Sequence, residues 1–396
     1  MNNTPKGNRL HVGIFGEVNA GKSSLFNAII EADVSIVSEL SGTTADPVQK
    51  AIELIPFGPI TLIDTAGLCD QTPLGQQRMD KTQKLLERVD FALYVMDAAN
   101  IYSAQKKYKD FVCQLDKKQT PHLLIITKSD LYRVKDLNLP AVVVSAYQQD
   151  TIISLKKAMV HKLSAIKKYG ETLLGDLLAP GSTVLMVVPI DSEAPIGRLI
   201  LPQAQLIRDC LDNGYTAYVT RETELEMALS NIKKIDLIVT DSQIFGAVSK
   251  IVPSSALITS FSILMARQKG EIETLLDGIK AISNLKTQDK ILVSEVCTHN
   301  RTHEDIGRVK IPAALVKLTG LKLNFDFTLG HDYTEDPSQY SLIVHCGACM
   351  ITSKEMHSRI ALAKKAKTPI TNYGLLLAHA NGILERSIEI LSNAKI

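Results

Sequence analysis

The sequence predicts an α/β protein built on mostly parallel sheets. Three observations carry that reading. Short apolar runs recur along the chain, nearly all of them are apolar throughout instead of alternating, and helical stretches separate most of them. Strands buried on both faces need no polar side, and the helices between them supply both the cover and the crossover.

The elements follow in order. In the first 165 or so residues the strand candidates are LHVGIFG, VQKAIELI, ITLIDT, FALYVMD, HLLIITK and AVVVSA, with helical stretches such as KSSLFNAII and DTIISLKKAMVHKLSAIKK. PFGP at 56–59 is a tight turn that joins two strands directly, so one antiparallel hairpin is expected at an edge. The Gly- and Pro-punctuated stretch 168–182 reads as a boundary. Beyond it, STVLMVVPI, TAYVTR, DLIVTD and SALITS alternate with helices. From about 271 a third set begins, with strands KILVSEV, KLNFDF, SLIVH and PITNY. The expected domains are 1–168, 176–270 and 271–396.

Bulk properties bound the function. The chain has 396 residues, 45% of them apolar, which is enough for two or three folded cores. The 44 basic and 42 acidic residues are mixed along the chain for a net charge of +2, which argues against a nucleic-acid surface. No apolar run reaches 18 residues and the N-terminus has no signal-peptide core, so a soluble, cytoplasmic protein away from membranes is expected. Six scattered cysteines do not make a disulfide framework.

GEVNAGKS at 16–23 fits G-x-x-x-x-G-K-S, follows a strand and opens a helix. Asn19, Ala20, Gly21, Lys22, Ser23 and Ser24 would curl backbone N–H groups around phosphate oxygens at a positive helix end. Lys22 would reach the β- and γ-phosphates and Ser23 would ligate Mg²⁺. DTAG at 64–67 ends another strand, where Asp64 can hold the Mg²⁺ shell and the Gly67 amide can sense the γ-phosphate. TKSD at 127–130 supplies Thr127, Lys128 and Asp130, whose carboxylate can accept two hydrogen bonds that guanine offers and adenine does not. Ser145 and Ala146 end the next strand, where a backbone amide can meet the guanine carbonyl. Four such motifs at successive strand ends specify a P-loop GTPase domain with GTP and Mg²⁺ as ligands.

These residues resemble the translation-factor-related GTPases, particularly the TrmE/Era type, and SIVSELSGTTAD at 35–46 is similar to their first switch. The resemblance implies that Thr44 completes the Mg²⁺ shell. It also implies that Asn19, with the segment around Ser38, Leu40 and Thr43, cages a K⁺ ion. Two departures stand out. Thr127 occupies a position where Asn is usual, which would loosen base binding. Leu68 stands where Ras-like proteins orient water with Gln, so hydrolysis should be slow.

The C-terminal third carries Cys297 and His299 after one strand, and His345, Cys346 and Cys349 after another. Carboxyl ends of parallel strands share one rim, so C-x-H-x45-H-C-x-x-C would gather three thiols and two imidazoles there. Thr352 and Glu355 have capping-box spacing, and the helix they open is expected to lower the thiol pKa values. The residues leave several readings open: a redox dithiol, which leaves Cys297 idle; a Cys₃His zinc site; or a [4Fe–4S] cluster with a weak fourth ligand. Cys69, Cys113 and Cys210 read as incidental thiols. Asn372 and Tyr373, after the next strand, are candidates to support the rim, against the plainer reading of a turn into the last helix.

This tail behind such a GTPase domain resembles the HydF family, maturation GTPases of [FeFe]-hydrogenase, over essentially the whole chain. The resemblance implies a [4Fe–4S] cluster on Cys297, Cys346 and Cys349, with His299 or His345 as possible fourth ligand or supporter. It implies a homodimer through the middle domain, and a scaffold that takes up a diiron subcluster made with two radical-SAM partners, HydE and HydG. It implies delivery of that unit to apo-hydrogenase. The competing readings are a GTPase with a zinc-stabilised tail acting in RNA modification or ribosome assembly, and a self-contained CxxC oxidoreductase.

Overall fold

The computed structural model describes residues 6–32, 48–65, 84–134, 139–166, 172–190, 199–296 and 306–393. The chain divides into two compact units, residues 1–169 and 170–396.

The first unit is one six-stranded sheet in the order β2-β3-β1-β4-β5-β6. Its strands are β1 (Leu10–Gly16), β2 (Gln49–Leu54), β3 (Gly58–Asp64), β4 (Phe91–Asp97), β5 (His122–Thr127) and β6 (Ala141–Val143). Its helices are α1 (Lys22–Glu31), α2 (Ile101–Lys117) and α3 (Gln149–Ile166). All pairs are parallel except β2 with β3, the edge hairpin expected from PFGP. The apolar strands are explained by two-sided burial. On β4, Phe91, Leu93 and Val95 pack into one core with α1 and α3, while Ala92, Tyr94 and Met96 pack into another with α2. Helix α2 buries Ile101, Ala104, Tyr108, Phe111 and Leu115, a single stripe at helical spacing.

The second unit holds two four-stranded, all-parallel sheets, ordered β10-β9-β7-β8 and β12-β11-β13-β14. The first sheet is β7 (Thr183–Val187), β8 (Thr216–Thr220), β9 (Leu237–Thr240) and β10 (Ile258–Ser260). The second is β11 (Lys290–Glu295), β12 (Asn324–Leu329), β13 (Leu342–His345) and β14 (Ile370–Asn372). Their helices are α4 (Leu201–Asp212), α5 (Leu225–Asn231), α6 (Phe245–Ile251), α7 (Phe261–Lys269), α8 (Ile272–Lys280), α9 (Ile311–Thr319), α10 (Ser353–Lys365), α11 (Tyr373–Ala380) and α12 (Leu384–Ile388). One hydrophobic core runs through both sheets, joining Leu185, Val187 and Ile238 to Ile291, Val293 and Val344. Helix α11 is buried from Tyr373 to Ala378 and packs against α6, α7, α8, α9 and α12, which accounts for a segment apolar on every side.

Helix α8 lies so close to β14 that a Cβ on Gly278 would fall 2.0 Å from the Ile370 carbonyl oxygen. Neither backbone can yield there without disturbing the core. Gly278→Ala should therefore destabilise the second unit by about 1–3 kcal/mol, read as a lowered unfolding midpoint in urea. An unchanged midpoint would show that the helix can slide away.

Candidate functional site

The phosphate loop leaves β1 at Gly16, where φ is 146° and a Cβ would lie 2.3 Å from the Val95 carbonyl oxygen. No other residue fits that approach. Asn19 (φ 62°) and Gly21 (φ 86°) are also left-handed, which curls the loop before α1 begins at Lys22. The Lys22 ammonium is buried and donates to the Glu17 carbonyl at 2.7 Å. Burial holds Lys22 below the usual lysine range, against the opposing pull of Asp64 and Glu17. Ser23 donates to Asp64 Oδ2 at 2.7 Å, so the two expected Mg²⁺ ligands already touch. Burial raises the Asp64 carboxyl, partly offset by the Ser23 hydrogen bond and then by Lys22. Thr65 Oγ1 donates to the Ile14 carbonyl at 2.6 Å and fixes the exit from β3.

Thr127 does more than the sequence predicts. Its buried hydroxyl lies 2.6 Å from the Ala20 carbonyl and 3.0 Å from that of Met96. With one proton to share, it ties the end of β5 to the phosphate loop and to β4. Lys128, with φ 61°, pairs with Asp97 at 2.6 Å, and Ser129 N–H donates to the Val144 carbonyl. Asp130 is exposed at the rim. Ser145 is buried, and its N–H and C=O both engage Thr151 Oγ1, which closes the loop through Ala146. Ser38, Leu40, Thr43, Thr44, Gly67, Leu68 and Cys69 lie outside the described residues, as do Cys297 and His299.

At the second sheet, β11 and β13 pair in parallel with Ser294 opposite His345, so the two strands end level. Cys346 N–H continues the ladder to the Ser294 carbonyl at 2.9 Å. Val296 N–H returns a hydrogen bond to Cys346 Sγ at 3.3 Å. Burial pushes the Cys346 thiol up to about 12, and Cys349 adds to the rise. This corrects the expectation that the following helix lowers it. Helix α10 begins only at Ser353, and its end effect falls off within a turn, so burial prevails.

His345 is completely buried and both ring nitrogens are engaged. Arg359 Nη1 lies 3.0 Å from Nε2 and the Cys346 carbonyl 2.9 Å from Nδ1. A guanidinium only donates, so Nε2 accepts and Nδ1 carries the proton toward Cys346. Burial, with Arg359 next, lowers His345 to about 3. That arrangement supports the Cys346 backbone and leaves neither nitrogen open to a metal. Arg359 is itself held by Glu355 at 2.8 Å and the Gly330 carbonyl at 2.9 Å, and lies over the Tyr333 ring. Glu355 N–H donates to Thr352 Oγ1, while its carboxylate also meets His331 at 3.1 Å. Asn372 donates to the Cys346 carbonyl at 3.3 Å and accepts from the Gly374 and Leu375 amides, so it caps α11 and props the rim together. Tyr373 is buried in the core. Arg359 was not foreseen; its i,i+4 spacing from Glu355 was the available signal. Among the described residues no group of three His, Cys, Asp or Glu side chains forms a metal-binding array. No helix among them is long and apolar enough to cross a membrane.

Comparisons with known proteins follow the same division. Residues 11–128 match the profile of the 50S ribosome-binding GTPases. Residues 173–270 match the hydrogen maturase F dimerization domain and 273–390 its tetramerization domain. The GTPase Der of Wolinella succinogenes is 42% identical over 93 residues, covering 23% of this chain and 20% of that protein. The tRNA modification GTPase MnmE of Xanthomonas oryzae pv. oryzae is 38% identical over 139 residues, covering 35% and 30%. The chain thus spans between a fifth and a third of these curated relatives. Among solved structures, a variant of Aquifex aeolicus Era bound to GDP and AlF4- is 20% identical, covers 53% of this chain and 91% of that one, with a TM-score of 0.32.

Because Thr127 joins the base loop to the phosphate loop, Thr127→Val should weaken guanine nucleotide binding by about 1–2 kcal/mol. The expected reading is a roughly 5- to 30-fold faster release of a fluorescent GDP analogue. An unchanged release rate would make the tie incidental.

Proposed function

We propose that this chain, which belongs to the hydrogen maturase F family, couples a GTP-hydrolysing switch to a metal-cluster scaffold. In the first unit, Lys22 exchanges the Glu17 carbonyl for the β- and γ-phosphates of GTP. Ser23 and Asp64, already in contact, would hold Mg²⁺, and the ion would supply neutralisation of charge on the phosphates. Asp130 reads guanine, with the Ser145–Ala146 loop beside it. Thr44 and Gly67 complete the phosphate side. Asn19, Ser38, Leu40 and Thr43 hold K⁺ in place of an arginine finger.

In the second unit, Cys297, Cys346 and Cys349 hold a [4Fe–4S] cluster, which when bound offers one iron position to an exchangeable ligand. One contact carries this reading. β11 delivers Val296, the residue before Cys297, against Cys346 Sγ. The donor set fits the group. A backbone amide aimed at the sulfur favours a charged, metal-bound thiolate, since such a donor strengthens on a negative acceptor. His345 keeps the Cys346 carbonyl fixed through Nδ1, while His299 is the imidazole left for the iron or its surroundings.

On this reading the domains are 1–168 for GTP, 176–270 for dimerisation and 271–396 for the cluster, in a cytoplasmic homodimer. The scaffold receives a diiron subcluster precursor from HydE and HydG and delivers it to apo-[FeFe]-hydrogenase. GTP acts by favouring one of two states with different partner affinity.

Anaerobically reconstituted protein should be brown, with broad visible absorbance. Cys346→Ser should bleach it while GTP hydrolysis persists; a colourless wild-type protein containing zinc would overturn the cluster reading. GTP hydrolysis should be faster in K⁺ than in Na⁺ at equal ionic strength, and equal rates would remove the potassium cage.

A further inference from the structure

The loop that carries both cysteines of C-x-x-C has two chemically distinct sides. On one, the Cys346 sulfur accepts the Val296 N–H at 3.3 Å. On the other, carbonyl oxygens converge on a single ammonium. Lys269 Nζ lies 3.2 Å from the Ala348 oxygen, 3.1 Å from that of Cys349 and 2.8 Å from that of Ile351. Three carbonyls of one loop thus lie within hydrogen-bond distance of the same nitrogen. Lys269 is only 2% exposed, so it is a buried part of the loop's framework and not a surface charge resting on it.

The lysine comes from outside the cysteine-bearing sheet. It is the last residue of α7, the helix that follows β10 in the other sheet of this unit. The same helix touches the loop along its length. A Cβ on Gly347 would lie 3.4 Å from Ser262 Oγ and 4.0 Å from Met265 Cβ. Residues 262, 265 and 269 are spaced i, i+3 and i+7, so one face of α7 forms the bed on which Gly347–Ile351 lies. Ser262 also bonds Asn372, which in turn reaches the Cys346 carbonyl.

The loop needs such a fixture. Ala348 is held at φ 56°, a left-handed conformation that costs a non-glycine residue about 1 kcal/mol. Left alone, the loop would relax toward ordinary backbone and change the placement of Cys346 relative to Cys349. Across a trans peptide the N–H points opposite to the C=O. Drawing the carbonyls of 348 and 349 toward Lys269 therefore turns the amides of 349 and 350 to the far side of the loop.

We propose that Lys269 is the positioning residue of the metal-binding cysteine loop: its ammonium gathers three loop carbonyls so that the sulfurs of Cys346 and Cys349 face one bound metal centre. The proposal rests on the cluster reading above. It adds that the site is completed by the helix of the neighbouring sheet, with a fixed positive charge behind the sulfurs. That charge favours the more negative, reduced state of a bound cluster and so raises its midpoint potential.

The test uses the full-length chain, reconstituted anaerobically with limiting iron and sulfide, comparing wild type, Lys269→Met and Lys269→Gln. Lys269→Met should retain a tenth or less of the wild-type iron after gel filtration. Lys269→Gln, which keeps a donor without the charge, should load partially, with a lower midpoint potential and an altered EPR signal in the reduced state. A weakened fold alone would reduce loading without moving the potential of the cluster that remains. If Lys269→Met fails to fold, Lys269→Gln decides through the same readouts. Wild-type iron content and potential in the folded variant would overturn the role of Lys269 and leave the cluster reading standing. A wild-type chain that takes up no iron would remove both.

Discussion

The second unit depends on one piece of backbone geometry: the parallel, in-register pairing of β11 with β13. Ser294 opposite His345 means that the chain leaves both strands at the same height. The ladder then runs one step beyond the strands, through Cys346 N–H, before Val296 N–H turns to the sulfur. A slip of one residue would send Cys346 to the opposite side of the sheet and break that contact. The groups beneath the rim resist such a slip. His345, Arg359 and Glu355 form a buried series of hydrogen bonds that ends on the Cys346 carbonyl, and each member is positioned by the next. A buried pair such as Arg359 and Glu355 adds little net stability, but removing one partner strands a charge, typically at about 3–5 kcal/mol. Its effect is therefore to specify one arrangement.

The nucleotide unit applies the same rule with different chemistry. Its phosphate loop, its Asp64 and its base loop all leave the carboxyl ends of parallel strands, where helix starts and curled backbone offer N–H groups. Cross-ties make these loops one device. Ser23 joins Asp64, and Thr127 joins Ala20. In both units the strands supply position and the loops supply chemistry, with left-handed residues at the bends: Asn19, Gly21 and Lys128 in one, Ala348 in the other.

Much of this was legible in the sequence because its signals are local. Two-sided burial writes continuous apolar strands, and G-x-x-x-x-G-K-S, DTAG and TKSD each occupy a few consecutive residues. C-x-x-C likewise announced itself, as did the edge hairpin at PFGP. The contacts that were not legible join distant segments. Lys269 meets its carbonyls 79 to 82 positions along the chain, and Thr127 meets Ala20 across 107. Nothing near Lys269 in sequence distinguishes it from a solvated helix-end lysine. The Cys346 thiol was misjudged for a related reason. Capping-box spacing reveals a helix start, whereas the burial that dominates the thiol comes from strands and helices that local spacing does not show. For Thr127 the side-chain identity was visible in the sequence and its carbonyl partners were not.

The cluster reading requires the segment that leaves β11 after Val296 to bring Cys297 to the metal that Cys346 holds at the end of β13. Oxidative trapping tests it most directly. In metal-free Cys349→Ser protein treated with diamide, peptide mapping should find a disulfide between Cys297 and Cys346, since bridging requires Cα atoms within about 7 Å. If both thiols instead remain open to alkylation in the folded protein, the two strand ends do not converge, and the cluster site built on them is refuted.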